Sequence, residues 1–299
     1  MAPVSKATMS KTHTPRLFAI LARDAPQAVI FRRGPSKQVL LIKWNLKNDK
    51  LEYGQWFKGR IYERRCDLSP SGNLLIYFSG KYKTSLRTWT AISKPPYLTA
   101  LALWPKGDAW GGGGIFDTEY TIRLNHGSHP QTLAQGFTLK KNMRVISYGG
   151  GGEDFPIYHA LLLKYDWQCL DEGKCGKPNW NEHTVWKFIR PIIYEKVSKQ
   201  GYRLQMHIKS MSHKNDAWYN IDYVAFDKSG KKLFELEKTD WADWDNSDLI
   251  FAKQGKLFRL SKNSFTQYMD GGEKALKLVA DLNSCKYEEK TAPCAAVLW

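Results

Sequence analysis

The sequence predicts an all-β protein built as an array of antiparallel sheets. Three observations carry this. Aromatic residues make up 13% of the 299 residues, with 12 Trp and 15 Tyr, and such side chains fit half-buried pleated surfaces. The 23 Gly and 13 Pro are spread along the chain and supply the frequent turns of an all-β fold. A strand–turn–strand pattern recurs, most plainly at Asp67-Leu-Ser-Pro-Ser-Gly-Asn-Leu-Leu-Ile-Tyr77. Hydrophobic residues at 42% provide a core and exclude a disordered chain.

In chain order, Leu17–Ala22 and Ala28–Phe31 are short apolar runs separated by a turn at Asp24-Ala-Pro26. Val39–Trp44 reads as a strand, and Leu51–Phe57 as another with a bulge at Gly54. The Ser-Pro-Ser-Gly turn then feeds the buried strand ending at Phe78. Residues 125–140 read as a polar surface loop. Tyr158–Tyr165 suits either a strand or a short helix. Residues 169–183 form a loop, and Val185–Tyr194 and Tyr202–Ile208 are strands. Glu273–Leu282 reads as helix or strand, and Ala295–Trp299 as an apolar terminal segment.

Residues 223–260 repeat the order of parts seen in 39–78: aromatic-ended strand, polar turn, strand, Asp-rich turn, apolar strand. Asp67 and Leu74–Tyr77 correspond to Asp243 and Leu249–Phe251. Ala102–Asp108 with Ile115-Phe116 gives a looser third copy. Gly72, Gly107 and Gly230 fall near one and four multiples of a roughly 40-residue period, and about four strands per period mark a propeller blade. Val39-Leu-Leu-Ile-Lys-Trp-Asn-Leu46 resembles the strand ending in Trp-Asp of WD-repeat blades. Asp67-Leu-Ser-Pro-Ser-Gly72 resembles the Ser-Pro-Asp-Gly turn of those and related bacterial propellers, with Ser in place of Asp and without the Gly-His signature. The resemblance covers about residues 39–116 and 218–260. It implies a β-propeller-like array of four-stranded sheets, roughly five to seven blades, over residues 15–299. It also implies that a terminal strand completes a blade begun at the other end. It implies no particular activity.

The basic tail over residues 1–14 is expected to be disordered. Leu17–Ala22 is shorter than the ~7–15 residues of a secretory core, and no run reaches the ~18 apolar residues of a membrane span. Five cysteines, an odd and low number, imply no disulfide framework and favour a reducing, cytoplasmic setting. With 45 basic and 29 acidic residues, the net charge is +16. That excess attracts polyanions.

The aromatic-basic stretch 43–65, with Trp44, Trp56, Lys58, Arg60, Arg64 and Arg65, offers cations for an anionic partner and rings for stacking. The competing reading is alternating strands with aromatics inward and cations in water. Trp104 and Trp110 flank the first of two glycine runs, Gly111–Gly114 and Gly149–Gly152, which reads as flexible or tightly bent backbone beside a ligand mouth. Neither run is a phosphate loop or a dinucleotide fingerprint, and Gly54–Arg60 has Arg where a phosphate loop needs Lys.

Asp240, Asp243, Asp245 and Asp248 have carboxylate spacing for Ca²⁺, but the sixth loop position is Asp248 and the twelfth Gln254, so a hairpin turn is the better reading. Cys169, Cys175 and His183 lack the second cysteine pair of a zinc site. No metal or cofactor is expected. The sequence therefore points to a non-catalytic binding protein using a basic, aromatic-rich face, with an acidic protein favoured over nucleic acid as partner. The alternative is a hydrolase of saccharides or other polar substrates, with Glu119, Glu153 and Asp154 as channel-mouth carboxylates.

Overall fold

The computed structural model describes residues 14–34, 37–127, 131–149, 154–213 and 217–299. All of the 1–14 tail except Thr14 lies outside them. So do His129, Glu153 and three glycines of the second run.

Among the described residues, alternation of buried and exposed positions builds five successive sheets. The first is β1 (Arg16–Leu21), β2 (Gln27–Arg33), β3 (Gln38–Asn45) and β4 (Lys50–Lys58), paired in that order. The register slips across β4 between Tyr53 and Trp56. Gly54 lies in this bulge, and a Cβ there would stand 1.8 Å from the Pro96 carbonyl. The second sheet contains β5 (Arg60–Ile61), β6 (Asp67–Leu68), β7 (Leu75–Lys81), β8 (Arg87–Ser93) and β9 (Ala102–Pro105); β5 and β6 both pair with β7. A single 3-10 turn, Glu63–Arg65, separates β5 from β6.

The third sheet has three strands, β10 (Gly114–Phe116), β11 (Thr121–Leu124) and β12 (Arg144–Ser147), and its last pair is parallel. This departs from the expected four antiparallel strands, because the 125–140 loop carries the chain back before β12 begins. Helix α1 (Asp154–Lys164) follows. Ile157, Tyr158, Leu161 and Leu162 are buried, and that spacing gathers them on one helical face. This settles the Tyr158–Tyr165 ambiguity in favour of helix.

The fourth sheet holds β13 (Gln168–Asp171), β14 (Lys174–Cys175), β15 (Thr184–Val197), β16 (Arg203–His213), β17 (Tyr219–Phe226) and β18 (Lys232–Leu236). The fifth holds β19 (Thr239–Asp245), β20 (Asp248–Lys253), β21 (Lys256–Leu260) and β22 (Lys277–Asp281), with α2 (Phe265–Gly271) before its last strand. Gln254 and Gly255, both at positive φ, make the two-residue turn from β20 to β21. The expected Asp-rich turn at 241–245 is instead β19 itself, and only Asn246-Ser247 turns. The looser third copy also resolves differently: Ala102–Pro105 ends one sheet and Gly114–Phe116 begins the next.

Four of the five joints between successive sheets are apolar cores shared by the two sheets, and a helix makes the fifth. One apolar core joins the first and second sheets through Phe31, Leu41, Leu75 and Tyr77. Another joins the second and third through Ile76, Trp104, Phe116 and Ile122. A third joins the fourth and fifth through Tyr194, Tyr223, Trp244 and Phe251. A fourth joins the fifth back to the first through Ile30, Trp44, Trp241 and Ile250. Between the third and fourth sheets the joint is made by α1, which packs Ile157 and Leu161 on Ile115 and Tyr158 and Leu162 on the fourth sheet. The architecture is a propeller-like array of five sheets. No helix among the described residues is long and apolar enough to cross a membrane.

Ring closure does not use a terminal strand, contrary to expectation. The fifth sheet ends at β22, and the chain beyond returns against the first and second sheets. Arg32 Nε donates to the Leu282 carbonyl (3.1 Å). Tyr287 lies 6.0 Å from the Trp56 ring. Lys94 Nζ donates to the Ala295 and Leu298 carbonyls, near α3 (Cys294–Val297), and Trp299 Nε1 to Thr138.

Candidate functional site

Two adjoining cavities lie where β1, the Glu63–Arg65 turn, β16, β17 and β19 face one another. The larger, a cleft, has a volume of about 390 Å³ and the smaller, a chamber, about 60 Å³. β1 runs from one into the other: Arg16, Leu17 and Phe18 line the cleft, and Phe18 to Leu21 line the chamber. β19 does the same, with Thr239 and Asp240 on the cleft and Trp241, Ala242 and Asp243 on the chamber; Lys238, in the turn just before β19, also lines the cleft. Helix α1 lines the chamber with Tyr158, Leu161 and Leu162, and Tyr165, just past its last residue, adds to the same wall.

Phe18, Glu63 and Arg64 line both cavities and form the waist between them. Arg33 Nη1 donates to both Glu63 oxygens, at 2.6 and 2.8 Å. Arg64 Nη1 reaches the same carboxylate at 3.4 Å. Burial alone would raise the Glu63 pKa, but Arg33 and Arg64 hold it below its ordinary value. The Arg64 guanidinium sits 5.0 Å from the Phe18 ring, 5.3 Å from Tyr158 and 4.9 Å from Tyr219. Such contacts compensate a desolvated cation. Its Nε has no hydrogen-bond partner among the described residues. The cleft's described ionic lining is Arg16, Arg33, Arg64 and Lys238 against Glu63 and Asp240, with Phe18, Trp218 and Tyr219 as aromatic walls. Asp240 Oδ2 accepts the Leu17 N–H.

Of the candidates named from sequence, Arg64 lines this cleft and the rest lie elsewhere. Trp44 and Trp104 are 0% exposed. Each fills a core between sheets, so neither ring offers a face to a partner; β3 and β9 turn these aromatics inward, as the competing reading requires. Trp56 and Lys58 pack against Tyr287, with Lys58 Nζ 4.0 Å from its ring. Arg60 lies over Tyr62. Arg65 is buried and donates to the Ala109 and Gly111 carbonyls. Trp110 is 62% exposed on the glycine loop, away from the cleft lining.

That loop is tightly bent backbone. Gly111, Gly112 and Gly113 have positive φ, and a Cβ on Gly113 would stand 1.9 Å from the Arg65 carbonyl. The glycines exist for close approach to Arg65 and Phe78.

Glu119 clamps the Ser-Pro-Ser-Gly turn, accepting from Ser69 Oγ (3.0 Å), Ser71 N (3.1 Å) and Ser71 Oγ (2.7 Å). Glu153 falls outside the described residues. The Asp cluster is paired with cations: Asp243 with Lys196 at 2.6 Å, Asp245 and Asp248 with Arg259 at 2.8 and 3.3 Å. No group of three or more His, Cys, Asp or Glu able to hold a metal occurs among the described residues. Arg33, Glu63, Tyr219 and Lys238 escaped the sequence reading. Glu63-Arg64 adjacency was the visible signal, since an acid beside an arginine-rich turn hints at a buried ion pair.

No family model matches the chain, and no curated protein matches it. Two solved structures resemble it distantly. One is an uncharacterized protein from Listeria monocytogenes, 10% identical, covering 89% of this chain and 83% of that one, at a TM-score of 0.26. The other is prolyl oligopeptidase B from Galerina marginata, 8% identical, covering 90% of this chain and 34% of that one, at a TM-score of 0.20. Likenesses this remote bear on neither mechanism nor substrate.

Proposed function

We propose that the protein is a non-catalytic binding protein that takes an acidic segment of a partner protein into the cleft bordered by β1, β17 and the Glu63–Arg65 turn. The observation that carries this is the cleft lining: four cationic side chains against two carboxylates, with three aromatic walls. Glu63 is already engaged by Arg33, which leaves Arg64 and Lys238 as the cationic groups of the lining that this reading relies on. The net charge of +16 steers acidic partners toward the molecule. We read the five sheets as blades of the WD-repeat kind. That reading is supported by Trp44 near the end of a third strand and by the Ser69–Gly72 turn after a first strand. We place the protein in the cytoplasm on its low, odd cysteine count.

The test is fluorescence anisotropy with a labelled acidic peptide at rising salt. Affinity should fall as salt screens the pairing, and Lys238→Glu should weaken binding about tenfold. Binding indifferent to both would remove the proposal. A single-stranded oligonucleotide bound more tightly than the peptide would change the partner from protein to nucleic acid.

A further inference from the structure

We infer that the segment after β22 is an internal ligand. Residues 284–299 occupy a second docking face, on the first and second sheets, that takes a polypeptide segment carrying a tyrosine and, three residues on, a lysine.

The segment is fastened at its start and only laid down thereafter. Leu282 is fully buried in the core between the fifth and first sheets, and its N–H donates to the Gly255 carbonyl at 2.9 Å. Asn283 Nδ2 donates to the Gln254 carbonyl at 3.0 Å. Beyond this anchor, Ala296 alone is buried, and residues 285–293 take no regular structure. Among the described residues, no backbone–backbone hydrogen bond joins 284–299 to the rest of the chain. A segment with so little buried apolar surface and no shared ladder opens more readily than the strands beneath it.

The two sheets hold it as a peptide is held. Gln55 Nε2 donates to the Lys290 carbonyl at 2.9 Å, and Lys94 Nζ to those of Ala295 and Leu298 at 2.9 and 2.6 Å. These bonds read backbone, so a segment of another sequence satisfies them equally. Two side chains supply the selectivity on these sheets. The Tyr287 ring lies 6.0 Å from the Trp56 ring and takes Lys58 Nζ at 4.0 Å over its face. Lys290 Nζ donates to the Tyr53 carbonyl on β4, the edge strand of the first sheet, and lies 5.9 Å from the Tyr97 ring. Farther along, Trp299 Nε1 donates to the Thr138 carbonyl at 2.8 Å. Trp56 and Lys58, the aromatic and basic pair at the end of β4, thus already have an occupant. Its departure uncovers them for a second polypeptide with the same spacing. A segment tethered this way competes at an effective concentration on the order of millimolar, so it sets the threshold that an external ligand must exceed.

The test is fluorescence anisotropy with a labelled synthetic peptide of residues 284–299, titrated with the full chain and with its Tyr287→Ala variant. The variant's own segment is weakened, so it should bind the peptide about tenfold more tightly than the wild type does. Tyr287→Ala or Lys290→Ala in the peptide should weaken its binding to the variant about tenfold. Lys290→Ala in the full chain is the second variant, with the same direction expected should the first fail to fold. Equal affinity of wild type and variants, binding to none of them, or a peptide indifferent to the loss of its tyrosine overturns this inference. Displacement of the labelled peptide by an acidic peptide lacking tyrosine overturns it too, because the face would then select charge alone. The reading of the cleft uses none of these residues and is tested separately.

Discussion

Asp67 and Asp243 hold the same place in two copies of the repeat, yet the ring uses them differently. Each lies on a strand that opens the sequence of a turn and a buried strand: Asp67 pairs with Ile76 and Asp243 with Ile250. Each Oδ1 accepts the N–H of the next residue, Leu68 at 3.0 Å and Trp244 at 2.7 Å. Each is paired with a lysine. There the likeness stops. Asp67 is 0% exposed and binds forward, to Phe116 N of the third sheet (2.7 Å), to Lys164 Nζ and to Tyr165 Oη (2.5 Å) at the end of α1. Asp243 binds backward, to Lys196 on β15, and lines the chamber. The repeat dictates the local hydrogen bond. The neighbour that happens to lie beside it dictates the rest, so one aspartate anchors the helix that closes the ring and the other borders the cavity.

The sharpest way to break this comparison is Asp67→Asn. It strands Lys164 next to a buried amide and should cost about 3–5 kcal/mol in urea unfolding. Hydrogen exchange in α1 should accelerate first. Glu63→Gln comes next, at about 3 kcal/mol at neutral pH, because Arg33 and Arg64 lose their shared counter-ion. It carries a pH signature. The pKa of Glu63 is held below its ordinary value, so its contribution is fully present above the ordinary glutamate pKa. It is lost as pH falls through the lowered folded value. Thermal melts should show the wild type losing stability in that acid window and the variant losing less. Asp243→Asn, at a cavity wall with the Lys196 and Asp243 side chains 14% and 11% exposed, should cost only about 1–2 kcal/mol. A cost equal to that of Asp67→Asn would mean that the two sites are not distinguished by what surrounds them. Trp110→Ala, on the exposed tip of the glycine loop near Asp67's sheet, should change stability by less than about 0.5 kcal/mol.

The legible part of the fold was local. Leu17–Ala22, Val39–Trp44 and Leu74–Phe78 alternate or run apolar with turn residues between them, and they are strands. The correspondence of 39–78 with 223–260 survived because both segments cross from the end of one sheet into the start of the next. The 241–245 stretch misled because Asp and Trp alternate there: Asp243 looked like turn chemistry, but its carboxylate is satisfied by Lys196 and its own strand, so it stays in β19. Trp44 and Trp104 misled in the opposite sense. Beside so many cations they looked like stacking faces, and only the position of the adjoining sheet shows that they fill cores.

The site was barely legible. Arg64 was singled out with Arg65, one residue away. The 3-10 turn sends the first into the waist of the cavity and the second into the second sheet, where it holds the glycine loop. Arg33 and Lys238 stood out in no pattern, because one reaches the cleft from the end of β2, about thirty residues before Glu63, and the other from the turn between β18 and β19, far beyond it. By itself, the sequence determined the strands, the turns and the repeat that joins them, since hydrophobic alternation and turn chemistry act within a few residues. The tertiary structure decided how many sheets close the ring, that α1 takes the joint between third and fourth, and which charges converge at the cleft. Those depend on contacts between residues far apart in the chain, where shape and burial set each group's partner.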